Sequence, residues 1–201
     1  FCTYCSFYSE AGFSTDDTDG YVSGICREIS GRTAEILSTR DFDTLYIGGG
    51  SPSVLPLPVL QTIVGALPGG PVSDEFTVEV NPEDIVGKGE GYVSGLLELG
   101  VNRISMGVQS LDDRVLKWMN RRHDASRAAE AFRILRSVGV GNISVDVIFG
   151  FTGFDVRTVE TICREWRPEH ISAYQLGVEE GSALCELARR GVWTEASDEV
   201  C

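Results

Sequence analysis

The sequence predicts an α/β fold around a parallel sheet, closed fully or in part as a (β/α) barrel, on three observations. Short apolar runs alternate with longer amphipathic stretches, the runs end in polar or glycine-rich clusters, and several runs carry polar residues at every second position. Strand and helix in regular succession imply parallel pairing, because each return to the sheet needs a crossover connection. A flat doubly wound sheet is the alternative arrangement.

Strands are expected, in chain order, at Thr44–Ile47, ending in Gly48-Gly49-Gly50, at Phe76–Val80, ending in Asn81-Pro82, and at Arg103–Val108, ending in Gln109-Ser110. Ser144–Phe149 and Ile171–Leu176 complete five. Helical periodicity covers Tyr21–Leu37, Leu57–Leu67, Gly91–Leu99, Asp113–Met119, Ser126–Val138 and Arg157–Trp166. Gly100 and Gly139 stand where a left-handed residue closes a helix.

Composition bounds what such a chain does. At 201 residues, 42% hydrophobic and 23% charged, residues 1–201 are expected to form one domain or most of one. A net charge of −13 argues against a nucleic-acid partner, since phosphate binding draws on clustered Lys and Arg. No apolar run approaches the roughly 20 residues that span a bilayer, so the expected compartment is the cytoplasm, with membrane contact only through a partner. Six unevenly spaced cysteines do not resemble a secreted disulfide framework.

Alternation within the strands carries a functional signal. Thr77, Glu79 and Asn81 share one side of their strand, against Val78 and Val80 on the other; Ser105, Gly107 and Gln109 oppose Ile104, Met106 and Val108; Ser144 and Asp146 oppose Val145 and Val147. Barrel lumens are dominated by Val, Ile and Leu, so a polar inner face on three strands calls for something polar to bind. The plainer alternative is that Glu79 and Asp146 form structural salt bridges with Arg103 or Arg121. Gly48-Gly49-Gly50-Ser51-Pro52-Ser53 sits at a strand end, where glycines let backbone N–H groups approach a ligand, Pro52 stops the strand and Ser53 is placed to cap the next element. It matches neither the P-loop nor the dinucleotide fingerprint, and a carboxylate- or amine-bearing ligand fits it better.

Cys2-Thr3-Tyr4-Cys5 places two thiols three positions apart, a spacing shared by zinc sites, redox pairs and iron–sulfur clusters. A structural zinc site needs four ligands, while Cys26, Cys163, Cys185 and Cys201 are scattered singly and the histidines are His123 and His170. A thioredoxin-type pair follows a strand and opens a helix, whereas the residues after Cys5, as far as Gly12, read as loop. Cys26, Cys163 and Cys185 read as small buried hydrophobes, and His123 and His170 as helix-start or surface residues rather than ligands.

Taken together, Cys2-x-x-Cys5-x-Phe7, Tyr46 to Ser53, Glu79-Val80-Asn81-Pro82, Arg103 to Ser110, Asp146 to Gly150, Tyr174-Gln175-Leu176 and Glu179 to Ser182 resemble, in order, the radical S-adenosylmethionine proteins related to oxygen-independent coproporphyrinogen III dehydrogenase. The resemblance runs essentially end to end. It implies a partial (β/α)6 TIM-type barrel whose first strand precedes residue 1, with a C-terminal domain after Cys201. It also implies a [4Fe-4S] cluster bound through C-x-x-x-C-x-x-C, in which Cys2 and Cys5 are the second and third ligands and the first lies four residues before Cys2. The open iron takes the amino and carboxylate groups of S-adenosyl-L-methionine, and electron transfer into the sulfonium releases a 5′-deoxyadenosyl radical.

By the same resemblance Gly49, Gly50 and Ser51 lie along the methionine moiety, Glu79, Gln109, Arg121 and Asp146 contact S-adenosylmethionine, and Phe7 packs against the adenine. The dehydrogenase has a further cysteine two positions after its third; here that position is Phe7, which points instead to the heme chaperone branch, whose members bind heme and pass it to acceptor proteins. Radical decarboxylation of coproporphyrinogen III propionates is the alternative. Either role implies heme or a porphyrinogen as a partner, together with an electron donor. Gly150-Phe151-Thr152-Gly153-Phe154 departs from the Gly-Leu-Pro-Gly-Gln of relatives, which puts the contacts of that loop in doubt.

Overall fold

The computed structural model describes residues 2–7, 18–38, 43–69 and 74–197. The expected loop at residues 8–12 and Cys201 lie outside them. Among the described residues, α1 (Thr18–Ser38), β1 (Thr44–Ile47), α2 (Leu57–Gly65), β2 (Glu75–Val80), α3 (Pro82–Glu98), β3 (Arg103–Gln109) and α4 (Asp113–Trp118) are followed by α5 (Ala125–Val138), β4 (Ile143–Phe149), α6 (Arg157–Thr161), β5 (His170–Gln175) and α7 (Ala183–Arg189). A 3-10 turn at Pro52–Val54 precedes α2, and a π turn at Ile162–Trp166 extends α6.

The strands pair in parallel in the order β1-β2-β3-β4-β5. A doubly wound sheet reverses its strand order at a switch point. Here each strand lies beside its predecessor throughout, which is the arc of a (β/α) barrel. The outward residues of the strands, Val78, Ile104, Met106, Val108, Val145 and Val147, are all essentially inaccessible to solvent. Val93 and Leu96 of α3 and Ala128, Ala131, Phe132 and Leu135 of α5 join them in one core, so the apolar layer lies between sheet and helices rather than in the lumen.

Local chemistry sets the boundaries. Asp124 caps α5 by accepting the Arg127 N–H at 2.8 Å, and Gly139 closes it at φ 98°; Gly100 takes φ 101° after α3. Ser182 caps α7, a helix too short for its periodicity to be read in the sequence. The helix expected from Gly91 begins instead at Pro82, with a break at Gly89 (φ 70°, ψ −170°); the alternate glycines 87, 89 and 91 obscured its first half. The cap assigned to Ser53 is also corrected. Ser51 holds the N-cap position of the 3-10 turn without a side-chain cap bond, and Ser53 is buried in a different network.

Candidate functional site at the carboxyl rim of the sheet

Period-2 alternation brings Tyr46, Glu79, Ser105 and Asp146 onto the inner face. Glu79 is held from two directions. Its Oε1 accepts the Tyr46 hydroxyl at 2.6 Å, and its Oε2 accepts the Gly49 N–H at 3.0 Å. A Cβ at Gly48 would lie 2.7 Å from Glu79 Oε1, so only glycine there leaves room for the carboxylate. Burial and the bond to Glu79 push the Tyr46 phenol above its ordinary range.

Asp146 lies beside Gly107 in the β3–β4 register and accepts from Ser105 Oγ at 3.1 Å. Burial raises its pKa, against the opposing hydrogen bonds of Ser105 and Ser172. The salt bridges considered for the two carboxylates are not formed. Arg103 approaches Glu75 at 3.9 Å, and Arg121 makes other contacts.

Arg121 is the centre of the rim. Its Nη2 donates to Asn81 Oδ1 at 2.8 Å and to Gly107 O at 2.7 Å, and its Nη1 reaches Cys2 Sγ at 3.4 Å. Asn81 Nδ2 donates in turn to Ser51 Oγ at 2.9 Å. Cys2, Arg121, Asn81 and Ser51 therefore form one chain across three strand ends. A Cβ at Gly107 would lie 3.0 Å from Gln109 Nε2 and 3.3 Å from Arg121 Nη2, which places Gln109 in the same cluster. The register of β3 on β4 shifts between Gly107 and Gln109, and Gln109 takes φ 68°, a left-handed conformation costly for a residue with a side chain.

The segment carrying the thiols is anchored at Thr3. Its N–H donates to Met119 O (3.0 Å) and its hydroxyl to Trp118 O (2.8 Å), while its carbonyl accepts the Leu184 N–H (2.8 Å). Cys2 and Cys5 are both half-buried, joined by a turn in which the Cys5 N–H donates to Cys2 O. Tyr4 packs against the cluster of Met119, Ile148, Phe151, Leu176 and Leu184, and burial drives its phenol well above the ordinary range. Phe151 of the divergent loop is thus a core residue.

Of the residues singled out from sequence, Cys2, Gly49, Ser51, Glu79, Gln109, Arg121 and Asp146 come together at this rim. Gly50 lies between two of them, and Phe7 presents a ring 64% exposed. His123, directly before the Asp124 cap of α5, takes the helix-start place rather than the surface one; it is buried and donates through Nε2 to Val108 O at 3.1 Å. His170 is exposed at the start of β5, with Nδ1 at 2.9 Å from Ser144 Oγ. Cys163 is exposed in the π turn, contrary to the buried role expected, whereas Cys26 and Cys185 are half-buried in helices. Tyr46 and Thr3 were missed. Tyr46 was legible in principle, sharing the phase of Gly48 and standing one residue before a buried-facing position, but nothing local marks Thr3.

Two buried polar atoms at the rim, Gln109 Oε1 and Arg121 Nε, have no hydrogen-bond partner among the described residues. Buried polar groups are ordinarily paired, so an orphaned acceptor beside an orphaned donor suits a ligand with polar groups of both kinds. Against this geometry, residues 1–165 match the radical SAM superfamily profile.

The chain belongs to the radical SAM superfamily. It is 30% identical over 197 residues to the heme chaperone HemW of Lactococcus lactis, covering 95% of this chain and 50% of that protein. It is 32% identical over 184 residues to the heme chaperone HemW of Escherichia coli, covering 89% and 48%. Among solved structures it is similar to the coproporphyrinogen III oxidase HemN of Escherichia coli, with a TM-score of 0.79 and 21% identity over 99% of this chain and 46% of that one. The archaeal Elp3 of Methanocaldococcus infernus superposes with a TM-score of 0.67 over 87% and 46%. This radical SAM chain thus spans about half the length of the curated relatives it matches, and its fold is that of the HemN barrel core.

Proposed function

We propose that this chain is the radical SAM core of a heme chaperone, holding a [4Fe-4S] cluster and S-adenosylmethionine at the rim, and that the whole protein binds heme and passes it to an acceptor. The observation that carries the reading is the chain from Cys2 through Arg121 and Asn81 to Ser51, with orphaned polar atoms on Gln109 and Arg121 beside it. The residues fit the cofactors. Cys2 and Cys5 supply two of the three thiolates a family cluster takes, and the inner face offers carboxylate, amide and guanidinium groups where a zwitterionic amino acid moiety needs them. Bound there, the cluster and S-adenosylmethionine supply electron transfer and a carbon radical.

The protein's own part is to bind, orient and shield. Arg121 is suited to a carboxylate, Glu79 to an amine, and Asp146 to ribose hydroxyls. Gly49 and Gly50 let backbone approach the methionine part beside the Ser51 hydroxyl, and Phe7 offers a face for the adenine. The reading of the whole protein as a chaperone draws support from relatives near 30% identity that are named heme chaperones, and from Phe7 standing where the dehydrogenase branch has a cysteine. A separate C-terminal domain, an electron donor, a heme acceptor and a cytoplasmic setting belong to the same proposal.

The test is anaerobic reconstitution of the full-length protein with iron and sulfide, followed by electron paramagnetic resonance with and without S-adenosylmethionine, and then by heme titration. The expected result is a reduced-cluster signal that shifts with S-adenosylmethionine, together with stoichiometric heme binding. A cluster blind to S-adenosylmethionine overturns the site assignment, and decarboxylated product from coproporphyrinogen III overturns the chaperone role in favour of the dehydrogenase.

A further inference from the structure

Behind the rim, α3 grips the segment that follows the glycines. Asp84, 8% exposed in the first turn of α3, accepts from Ser53 Oγ through Oδ2 at 2.7 Å and from Arg122 Nη2 through Oδ1 at 2.8 Å. Ser53 is fully buried, and its oxygen also accepts the Asn81 N–H at 3.1 Å. Arg121 and Arg122 are adjacent and diverge, the first to Asn81 and Cys2, the second to Asp84. The path Arg122, Asp84, Ser53, Asn81, Arg121 is therefore a closed ring through the glycine segment, the end of β2, the start of α3 and the loop between α4 and α5.

We propose that Asp84 is a positioning residue that locks the glycine segment to the loop bearing Arg121, so that both sides of the rim are placed together. For its functional consequence this rests on the reading of the rim as an S-adenosylmethionine site; the mechanical coupling does not. A salt bridge serving stability alone needs none of the ring's other three members. Here the carboxylate divides its two oxygens between a serine from one side of the rim and an arginine from the other, and both arms run on to groups that face the site. Breaking one arm leaves a buried carboxylate half-paired, which favours displacement of the segment it holds.

The experiment measures amide hydrogen exchange of the cluster-free full-length protein, in variants Asp84→Asn, Arg122→Ala, Arg122→Lys and the Asp84→Asn/Arg122→Ala double. Arg122→Ala is expected to raise exchange at residues 48–55, although its hydrogen bond goes to Asp84 outside that segment, as much as Asp84→Asn does. The double variant adds nothing further, and Arg122→Lys restores most of the protection. In cluster-loaded protein, Asp84→Asn is expected to weaken S-adenosylmethionine binding by about tenfold at unchanged iron content, the scale of one lost charge-assisted bond. Changes confined to each variant's own segment, additive changes, or a uniform rise across the sheet overturn the coupling. If the loaded wild type binds no S-adenosylmethionine, the site reading fails and the exchange results alone decide the coupling.

Discussion

Burial, and secondarily the Arg121 guanidinium, push the His123 imidazole down to about 4 against the pull of its bond to Val108 O, so the folded ring stays neutral through mildly acid pH. The unfolded chain titrates near 6.5. Between those values only the unfolded state takes up the proton, so stability is full above about pH 6.5, declines as pH falls, and levels off near 4, for a total of about 3 kcal/mol. His123→Gln, which keeps a donor for Val108, is expected to flatten that slope in urea titrations run from pH 7 to pH 4; an unchanged slope would place the acid sensitivity elsewhere. Gln109 makes the opposite kind of prediction. Its φ of 68° costs about 1 kcal/mol that Gln109→Gly relieves, so the variant is expected to unfold at equal or higher temperature while binding S-adenosylmethionine less tightly. Thermal unfolding and calorimetry check the pair, and a clear loss of stability would show the conformation to be unstrained. The polar phase of Glu79, Gln109 and Asp146 was legible because period 2 separates them from the valines around them. The true partners of Glu79 and Asp146 were not, since Tyr46 and Ser105 reach them across strands and only register decides such meetings.

At the scale of elements, the five strands and most helices could be read from periodicity because each buries one face or stripe against the same core. The boundary of α3 could not. Gly87, Gly89 and Gly91 lower helix propensity across its middle, yet the packing of Val93 and Leu96 on the strands and of α3 against α5 holds the element regardless. These glycines are not equivalent. Gly87 is exposed, with open space where a Cβ would stand, so Gly87→Ala is expected to add about 0.5–1 kcal/mol. Gly89, in a conformation that essentially only glycine adopts, is expected to lose about 1–3 kcal/mol on Gly89→Ala. Chemical denaturation of the two variants side by side reads the difference, and equal effects would mean that the break is not fixed in solution.

For the whole molecule, two features dominate. The net charge of −13 is self-repulsive, and screening lengths shrink to roughly 10 Å at 0.1 M salt. The melting temperature is therefore expected to rise with sodium chloride up to physiological strength, and a flat response would mean that the local ion pairs already balance the charge. The second feature is the closure at Thr3, where the thiol-bearing segment meets both the end of α4 and the start of α7, far along the sequence. Thr3→Val removes only the hydroxyl bond to Trp118 O, for about 1 kcal/mol, and is expected to reduce the iron bound per chain after reconstitution while circular dichroism stays unchanged. Contacts of this kind lie 115 positions apart, beyond any local pattern, which is why the anchor was invisible when the cysteine spacing itself was plain.

Lys88 offers a way to watch the rim from behind. The sequence holds just two lysines, Lys88 and Lys117. Lys88 Nζ donates to the carbonyls of Ser53, Val54 and Leu55, with its ammonium 4.2 Å from the Tyr92 ring centre, while Lys117 is exposed on α4. An amine-reactive reagent therefore meets one side chain bound to three carbonyls and one that is exposed within the same chain. The ratio of their acylation rates becomes an internal clock for how often α3 lets go of the glycine segment, readable by peptide mass spectrometry without any engineered label.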